Sequence, residues 1–405
     1  MSSPVRATRG AVIFAAAMVL STGPLGAQGK STIAPKAPST TAIAARVQDS
    51  LRVVLARAVA DGAFPGAVAM VGNRAGVVAT FGAGQLDARD SVRPDARTIY
   101  DLASLTKVIA TTSLMLHLVD RGRVQLDAPV VRYLPEWRGP RASTITVRQL
   151  LAHSSGLAAW RAFYKEAVDK ADARAQLMLV GPEVPPGTRY LYSDMNFMLL
   201  GMVAEKVTGM SLDRAFATII ARPLKLADTR FLPDSSTIAR TAPTEFDPWR
   251  QRQLRGEVHD ENASRFEGVS GHAGLFSTAT DLSRIARLWL NRGTQDGVRI
   301  ASPRTVAIFT RAQDSLVSRR ALGWEMATGG NSGGRRVSTS AFGHTGFTGT
   351  SIWIDPTRDL FVILLTNRVN PTRENRKIGA VRTALADAVV GAIDGAPTRP
   401  SSTTP

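Results

Sequence analysis

Strand-forming segments lie near both ends of this 405-residue chain, and the long stretch between them reads as helix and loop. Near the N-terminus the apolar runs 67–72 and 76–81 are split by Asn73-Arg74-Ala75, the pattern of a hairpin. Near the C-terminus 351–355 and 360–367 flank the turn-forming Pro356-Thr357-Arg358-Asp359, and 321–326 reads as a further strand. Apolar residues at helical spacing (Ile43, Val47, Leu51, Val54, Leu55, Ala58) predict an amphipathic helix over 43–60. Further helices are expected over 102–120, 147–151, 197–207, 282–291 and 376–390, the first apolar enough to be buried. The expected fold is therefore α+β. An antiparallel sheet is made from both chain ends and flanked by helices, with a mostly helical subdomain inserted over roughly 125–310.

The chain has no cysteine, so disulfides, thiolate metal sites and a cysteine nucleophile are excluded, and stability must rest on the core. A single domain over 41–392 is long enough to bury a large one. Hydrophobic residues make up 44% and charged residues 20%, which excludes a disordered, collagen-like or multi-span membrane chain. At the N-terminus Arg6 and Arg9 precede an apolar run over 11–20, followed by Gly23-Pro24 and the small residues of Leu25-Gly26-Ala27. That order predicts a signal peptide over 1–27, and the run is too short to stay in a bilayer as a span. Residues 28–40 read as a flexible leader and 393–405 as a disordered tail. The expected location is outside the cytoplasm, in the periplasm. The formal charge of +17 comes from scattered basic residues without a nucleic-acid-binding signature. It is read as a solvated, arginine-rich surface with a weak attraction to an anionic envelope, and no nucleic-acid partner is expected.

Ser104-Leu105-Thr106-Lys107 lies near the start of the predicted buried helix. A serine hydroxyl attacks a carbonyl poorly unless a base stands beside it. Residues three apart share a helix face, so Lys107 can reach the Ser104 hydroxyl. Only 8 of the 50 basic residues are lysine, and Lys107 alone follows a serine by three positions. It also lies among apolar neighbours (Val108, Ile109, Ala110), where a purposeless lysine is costly. Burial and nearby positive groups are expected to favour its neutral form, a base.

Two further elements join this pair. Tyr192-Ser193-Asp194 precedes a helix, where Ser193 or Asp194 can cap it and the Tyr192 hydroxyl can relay a proton. Gly343-His344-Thr345-Gly346 precedes a strand pair, a glycine-flanked edge that a ligand can approach closely. Its histidine and threonine would grip a carboxylate or orient a carbonyl. The Phe347 and Ser104 N–H groups would form an oxyanion hole.

Other motifs carry less. Gly330-Asn331-Ser332-Gly333-Gly334 matches G-x-S-x-G formally but no helix follows it. His259-Asp260-Glu261, with His272 nearby, reads as a hydrogen-bonded loop rather than a metal site. His117 and His153 read as satisfied core histidines. No metal or cofactor is expected.

The three motifs, in this order and at these separations, resemble those of the class C β-lactamase and D,D-peptidase family of penicillin-recognising serine hydrolases. The segments Leu150 to Leu157, Val258 to Ala263 and Gly271 to Ser277 resemble the penicillin-binding-protein-4B-like D-alanyl-D-alanine carboxypeptidases in particular. The resemblance covers roughly residues 43–392 and implies a β-lactamase/transpeptidase-like fold. It implies Ser104 as nucleophile, and Lys107 and Tyr192 as general base and acid, their order left open. His344, Thr345 and Gly346 form the substrate edge. The implied substrate is a peptidoglycan stem peptide, or a small ester or amide. Two positions depart from the family. Asp194 stands in place of an asparagine and lacks its amide donor. His344 stands in place of a lysine, and its partial charge near neutrality would weaken carboxylate binding as pH rises. Both departures favour a peptidase or esterase over a β-lactamase, with a non-catalytic penicillin- or peptidoglycan-binding sensor as a further alternative.

Overall fold

The computed structural model describes residues 39–87, 91–313 and 317–395. The predicted signal peptide, nearly all of the leader, and the tail from residue 396 lie outside the described residues. The first helix, Thr40–Ala60, begins where the Ser39 hydroxyl accepts the Ala42 N–H at 3.2 Å. Strands β1 (Gly66–Gly72) and β2 (Val77–Gly84) follow as the expected hairpin. Near the other end lie β3 (Glu325–Met326), β4 (Phe342–Thr345), β5 (Ser351–Asp355) and β6 (Leu360–Thr366). All six join one antiparallel sheet in the order β3-β4-β5-β6-β1-β2. The two chain ends meet along β1 and β6, from Ala67 opposite Thr366 to Gly72 opposite Phe361.

Side chains alternate across a strand, so β1 buries two faces. Ala67, Ala69 and Val71 join Val47, Leu51 and Leu55 of the first helix and Val389 of the last helix, Ile378–Asp394. Val68 and Met70 turn to the other side, into a larger core shared with the inserted residues. Both faces are covered, which is why these strands read as continuous apolar runs. Truncating the fully buried Leu51 to alanine is expected to cost about 2–5 kcal/mol.

The insert is mostly helical, as expected. Helices Val147–Leu151, Asp194–Thr208 and Ala279–Leu290 agree with their patterns. A three-stranded sheet that was not expected joins Tyr100–Asp101, which precedes the insert, to the insert's Leu275–Ser277 and Arg230–Phe231. Strands of two or three residues are too short to show a period.

Three boundaries differ from expectation. The strand over 321–326 shrinks to Glu325–Met326, because the Ala321 N–H closes a turn onto the Trp324 carbonyl at 3.0 Å. The last helix, expected over 376–390, runs from Ile378 to Asp394, where Gly395 at φ +74° ends it. The helix over 102–120 starts later: a π-helical stretch Lys107–Thr112 leads into the α-helix Ser113–Asp120. Ser104 therefore stands in the turn before this helix, not within it.

Candidate active site

Ser104 and Lys107 are still one turn apart, since the Lys107 N–H donates to the Ser104 carbonyl at 3.1 Å. The Lys107 side chain is fully buried. Its Nζ donates to Ser104 Oγ at 3.0 Å and to the His272 carbonyl at 3.1 Å, and lies 2.7 Å from Asp194 Oδ1. Three acceptors meet the three donors of an ammonium. Burial works against the charge, but the Asp194 carboxylate and the Tyr192 oxygen outweigh it and hold Lys107 above the usual lysine range. The sequence-based expectation of a neutral Lys107 is thus corrected: its closest ionic neighbour is an anion. Asp194, read as a missing amide, is the ion-pair partner of Lys107. Ser193, expected as a possible cap, makes no side-chain bond to the helix it precedes.

Tyr192 is held by aromatic contacts. Its ring stacks on His153 at 4.5 Å and 28°, lies 6.0 Å from the His344 ring, and has Lys107 Nζ 5.1 Å from its centroid. His153 is not merely a satisfied core residue. Its Nδ1 accepts from the Ser193 N–H at 3.1 Å and from the Asn196 amide at 3.2 Å, which assigns its proton to Nε2. That Nε2 is buried without a partner among the described residues. Burial, then Arg320 and Lys107, push its pKa well below the usual histidine value.

His344 and Thr345 lie on β4, paired with Ile352 and Ser351 of β5. His344 Nδ1 donates to the Thr345 carbonyl at 2.8 Å, so Nε2 carries a lone pair, buried and without a partner among the described residues. Burial, then Arg320 and Lys107, drive its pKa well below 6.5. The expected partial cation is therefore corrected. His344 offers a neutral acceptor, and a carboxylate finds no charge there.

The turn after β4, which carries Phe347, is bonded to the segment that leads into the serine. Thr348 Oγ1 donates to the Asp101 carbonyl at 2.7 Å and Thr350 Oγ1 to the Leu102 carbonyl at 3.0 Å. A Cβ on Gly346 would lie 2.4 Å from the Leu102 carbonyl oxygen, so only glycine lets the two segments meet. Arg368 Nε fixes the Phe347 carbonyl at 2.8 Å. Among the described residues neither the Ser104 nor the Phe347 N–H donates to a backbone carbonyl.

Sequence reasoning missed Arg320. It is only 9% exposed, and its guanidinium carbon lies 5.6 Å from the Tyr192 ring centroid. Its Nη1 donates to the Tyr190 hydroxyl at 3.1 Å, while Nε and Nη2 have no partner among the described residues. A cation so buried with two idle donors has the chemistry to accept an anion.

The His259-Asp260-Glu261 segment frames the same site. His259 Nε2 pairs with Glu245 at 2.8 Å, Asp260 accepts from His272 Nε2 at 3.0 Å, and Glu261 pairs with Arg373 at 2.8 Å. Asp194, Asp260 and His272 bring ligand-type atoms within 4.8 Å of one another, but Lys107 and the Asp260–His272 bond already engage these groups. His117 bonds the Ile300 carbonyl at 2.9 Å, away from the site. The 330–334 segment forms turns without a helix. A hydroxyl, a fixed ammonium, a phenol and two free N–H groups suit acyl transfer to serine.

Known proteins share this frame. The family profile described as Beta-lactamase matches residues 51–386. A protein of Escherichia coli (strain K12), provisionally named a D-alanyl-D-alanine carboxypeptidase, is 33% identical over 309 residues, 68% of this chain and 70% of its own. An N-acetylmuramyl-L-alanine amidase of Bacillus subtilis (strain 168) is 33% identical over 343 residues, 75% of this chain and 77% of its own. The solved structure of EstCE1, a hydrolase with promiscuous acyltransferase activity, shares the fold with a TM-score of 0.69 at 22% identity. It covers 87% of this chain and 99% of its own.

Proposed function

The chain belongs to the Beta-lactamase family of serine hydrolases, and on that premise we propose that it cleaves D-alanyl-D-alanine ends of peptidoglycan peptides through an acyl-enzyme on Ser104. The observation that carries this reading is the 3.0 Å bond between Ser104 Oγ and a fully buried Lys107.

In the proposed reaction the Ser104 Oγ–carbon bond forms at the substrate carbonyl. Tyr192 relays the proton: as the Oγ proton reaches the Tyr192 oxygen, the phenol's own proton passes to the leaving amine nitrogen and the C–N bond breaks. Lys107, kept as an ammonium by Asp194, steadies the negative charge growing on Oγ. The Ser104 and Phe347 N–H groups take the oxyanion. Water then attacks the ester, gives one proton back through Tyr192 to Oγ, and releases the acid. The terminal carboxylate of the substrate is assigned to Arg320, whose Nε and Nη2 are free, rather than to neutral His344.

A second reading, hydrolysis of small neutral esters, is favoured by the absence of charge on His344. Turnover of a D-Ala-D-Ala tripeptide, p-nitrophenyl acetate and nitrocefin, side by side, separates the two. Release of D-alanine supports the peptidase. Turnover of the acetate alone supports the esterase. A stoichiometric burst with no turnover of any of the three would mark a binder and overturn both. Export to the periplasm rests on the order of residues in 1–27, and N-terminal sequencing of the exported chain tests it. Among the described residues no helix is long and apolar enough to cross a membrane.

A further inference from the structure

Ala103 precedes the serine at φ +44°, a left-handed conformation that costs a non-glycine residue free energy. Something must hold it, and the partner of its own N–H is a candidate. Asp101 is 2% exposed, and its Oδ1 accepts the Ala103 N–H at 2.8 Å. Its other oxygen accepts the His259 N–H at 2.6 Å. The next residue along, Asp260, bonds the His272 ring, and the His272 carbonyl takes Lys107 Nζ. Lys107 returns to Ser104. The contacts therefore close a ring: Asp101, the Ala103–Ser104 turn, Lys107, His272, Asp260, His259 and back to Asp101.

We propose that Asp101 is the positioning residue of the site, a two-oxygen clamp that holds the strained Ala103 turn and so sets Ser104 Oγ against Lys107. The assignment rests on Ser104 being the nucleophile. A neutral side chain in place of Asp101 fails for a simple reason. Asparagine has one oxygen, so it can satisfy one of the two N–H groups but not both. Backbone carbonyls on either side are pinned independently, Asp101 by Thr348 and Leu102 by Thr350. Release of the carboxylate is thus expected to relax the Ala103 turn while the surrounding segment stays in place. The serine hydroxyl then spends most of its time off the attacking geometry, and a displacement of about 1 Å costs roughly a hundredfold in rate.

The test uses the strain itself. Glycine adopts a left-handed φ at no steric cost, so Ala103→Gly removes the need for the clamp. The rate of Ser104 phosphonylation by a fluorophosphonate, in which the Oγ–P bond forms as fluoride leaves, is measured with peptide mapping in the wild type, Asp101→Asn, Ala103→Gly and the double variant. Asp101→Asn is expected to lose about a hundredfold in phosphonylation rate. Ala103→Gly in that background is expected to recover at least about tenfold, because the relaxed turn can again reach the attacking geometry. A role confined to folding would move the melting temperature but would not give this rescue of rate. Wild-type rates in Asp101→Asn overturn the proposal, as does an impaired Asp101→Asn that glycine does not improve. Failure of both Asp101→Asn and the double variant to fold also overturns it, since Asp101 would then serve the fold alone. If the wild type itself does not label at Ser104, the nucleophile assignment fails instead, which the mapping distinguishes.

Discussion

Lys107 Nζ lies 2.7 Å from Asp194 Oδ1, with the lysine side chain fully buried and the carboxylate 18% exposed. This pairing decides how the serine can be activated. A buried lysine left alone would shed its proton and serve as a base. With the carboxylate at this distance it keeps the proton, which is why the proposed route for the Ser104 proton runs through Tyr192.

Asp194→Asn therefore changes both stability and pH response. It leaves a buried ammonium without its anion, which costs about 3 kcal/mol or somewhat less, because Asp194 is partly solvated. Lys107 is then expected to titrate lower. The expected outcome is a lower melting temperature and a shift of the alkaline limb of the kcat/KM profile toward neutral pH. A variant with unchanged profile and unchanged melting temperature contradicts the ion pair's role.

Tyr192→Phe keeps the stack on His153 and removes only the hydroxyl. Activity on the best substrate is expected to fall about 10²–10⁴-fold in kcat. The melting temperature should change little, since the ring contacts remain. Circular dichroism melts and steady-state kinetics on the same preparation check both halves.

Arg320→Gln separates charged from neutral substrates. It keeps length and some hydrogen bonding but removes the cation. The kcat/KM for a peptide with a free C-terminal carboxylate should drop roughly 10–100-fold, the scale of a lost charge-assisted hydrogen bond. The value for p-nitrophenyl acetate should hold within about threefold on the same scale of reasoning. Equal losses on both substrates would remove Arg320 from carboxylate recognition.

The split between what was legible in the sequence and what was not follows from physics. The pair Ser104 and Lys107 stood out because lysine is scarce here and this one lies in an apolar run. The shared sheet was legible because β1 and β6 are long enough to show their pattern. Arg320 was invisible among 42 arginines, since nothing local marks a guanidinium whose donors are idle. The charge states of Lys107 and His344 were misread for a related reason. They depend on Asp194, Arg320 and burial, which sequence spacing does not report. The π-helical start after Ser104 was equally hidden, because all six residues of Lys107–Thr112 are buried and leave no exposed face to distinguish one helical period from another.

Stability is expected to fall as the solution is acidified, in two stages. His153 and His344 are held well below 6.5 when folded. Above that value both folded and unfolded chains carry them neutral. Below it the unfolded chain takes up protons that the folded chain refuses, so stability declines with falling pH. Glu245 acts lower down. Burial raises it, but bonds from His259 and Arg373 prevail and bring it to about 2, so its contribution is present above 4.5 and is lost as pH falls toward 2. Thermal melts across this range check the sign. His344→Asn should flatten the upper stage. A melting temperature equal at about pH 5.5 and about pH 7.5 would contradict the two buried neutral histidines.

The central claim is that Ser104 is the nucleophile. Folded protein is treated with a fluorophosphonate, digested, and the modified residue is found by mass spectrometry. The account requires a single adduct on the peptide that carries Ser104, formed at a rate that collapses in Lys107→Met and absent in Ser104→Ala. An adduct elsewhere, or none on Ser104 in folded wild-type protein, would contradict it.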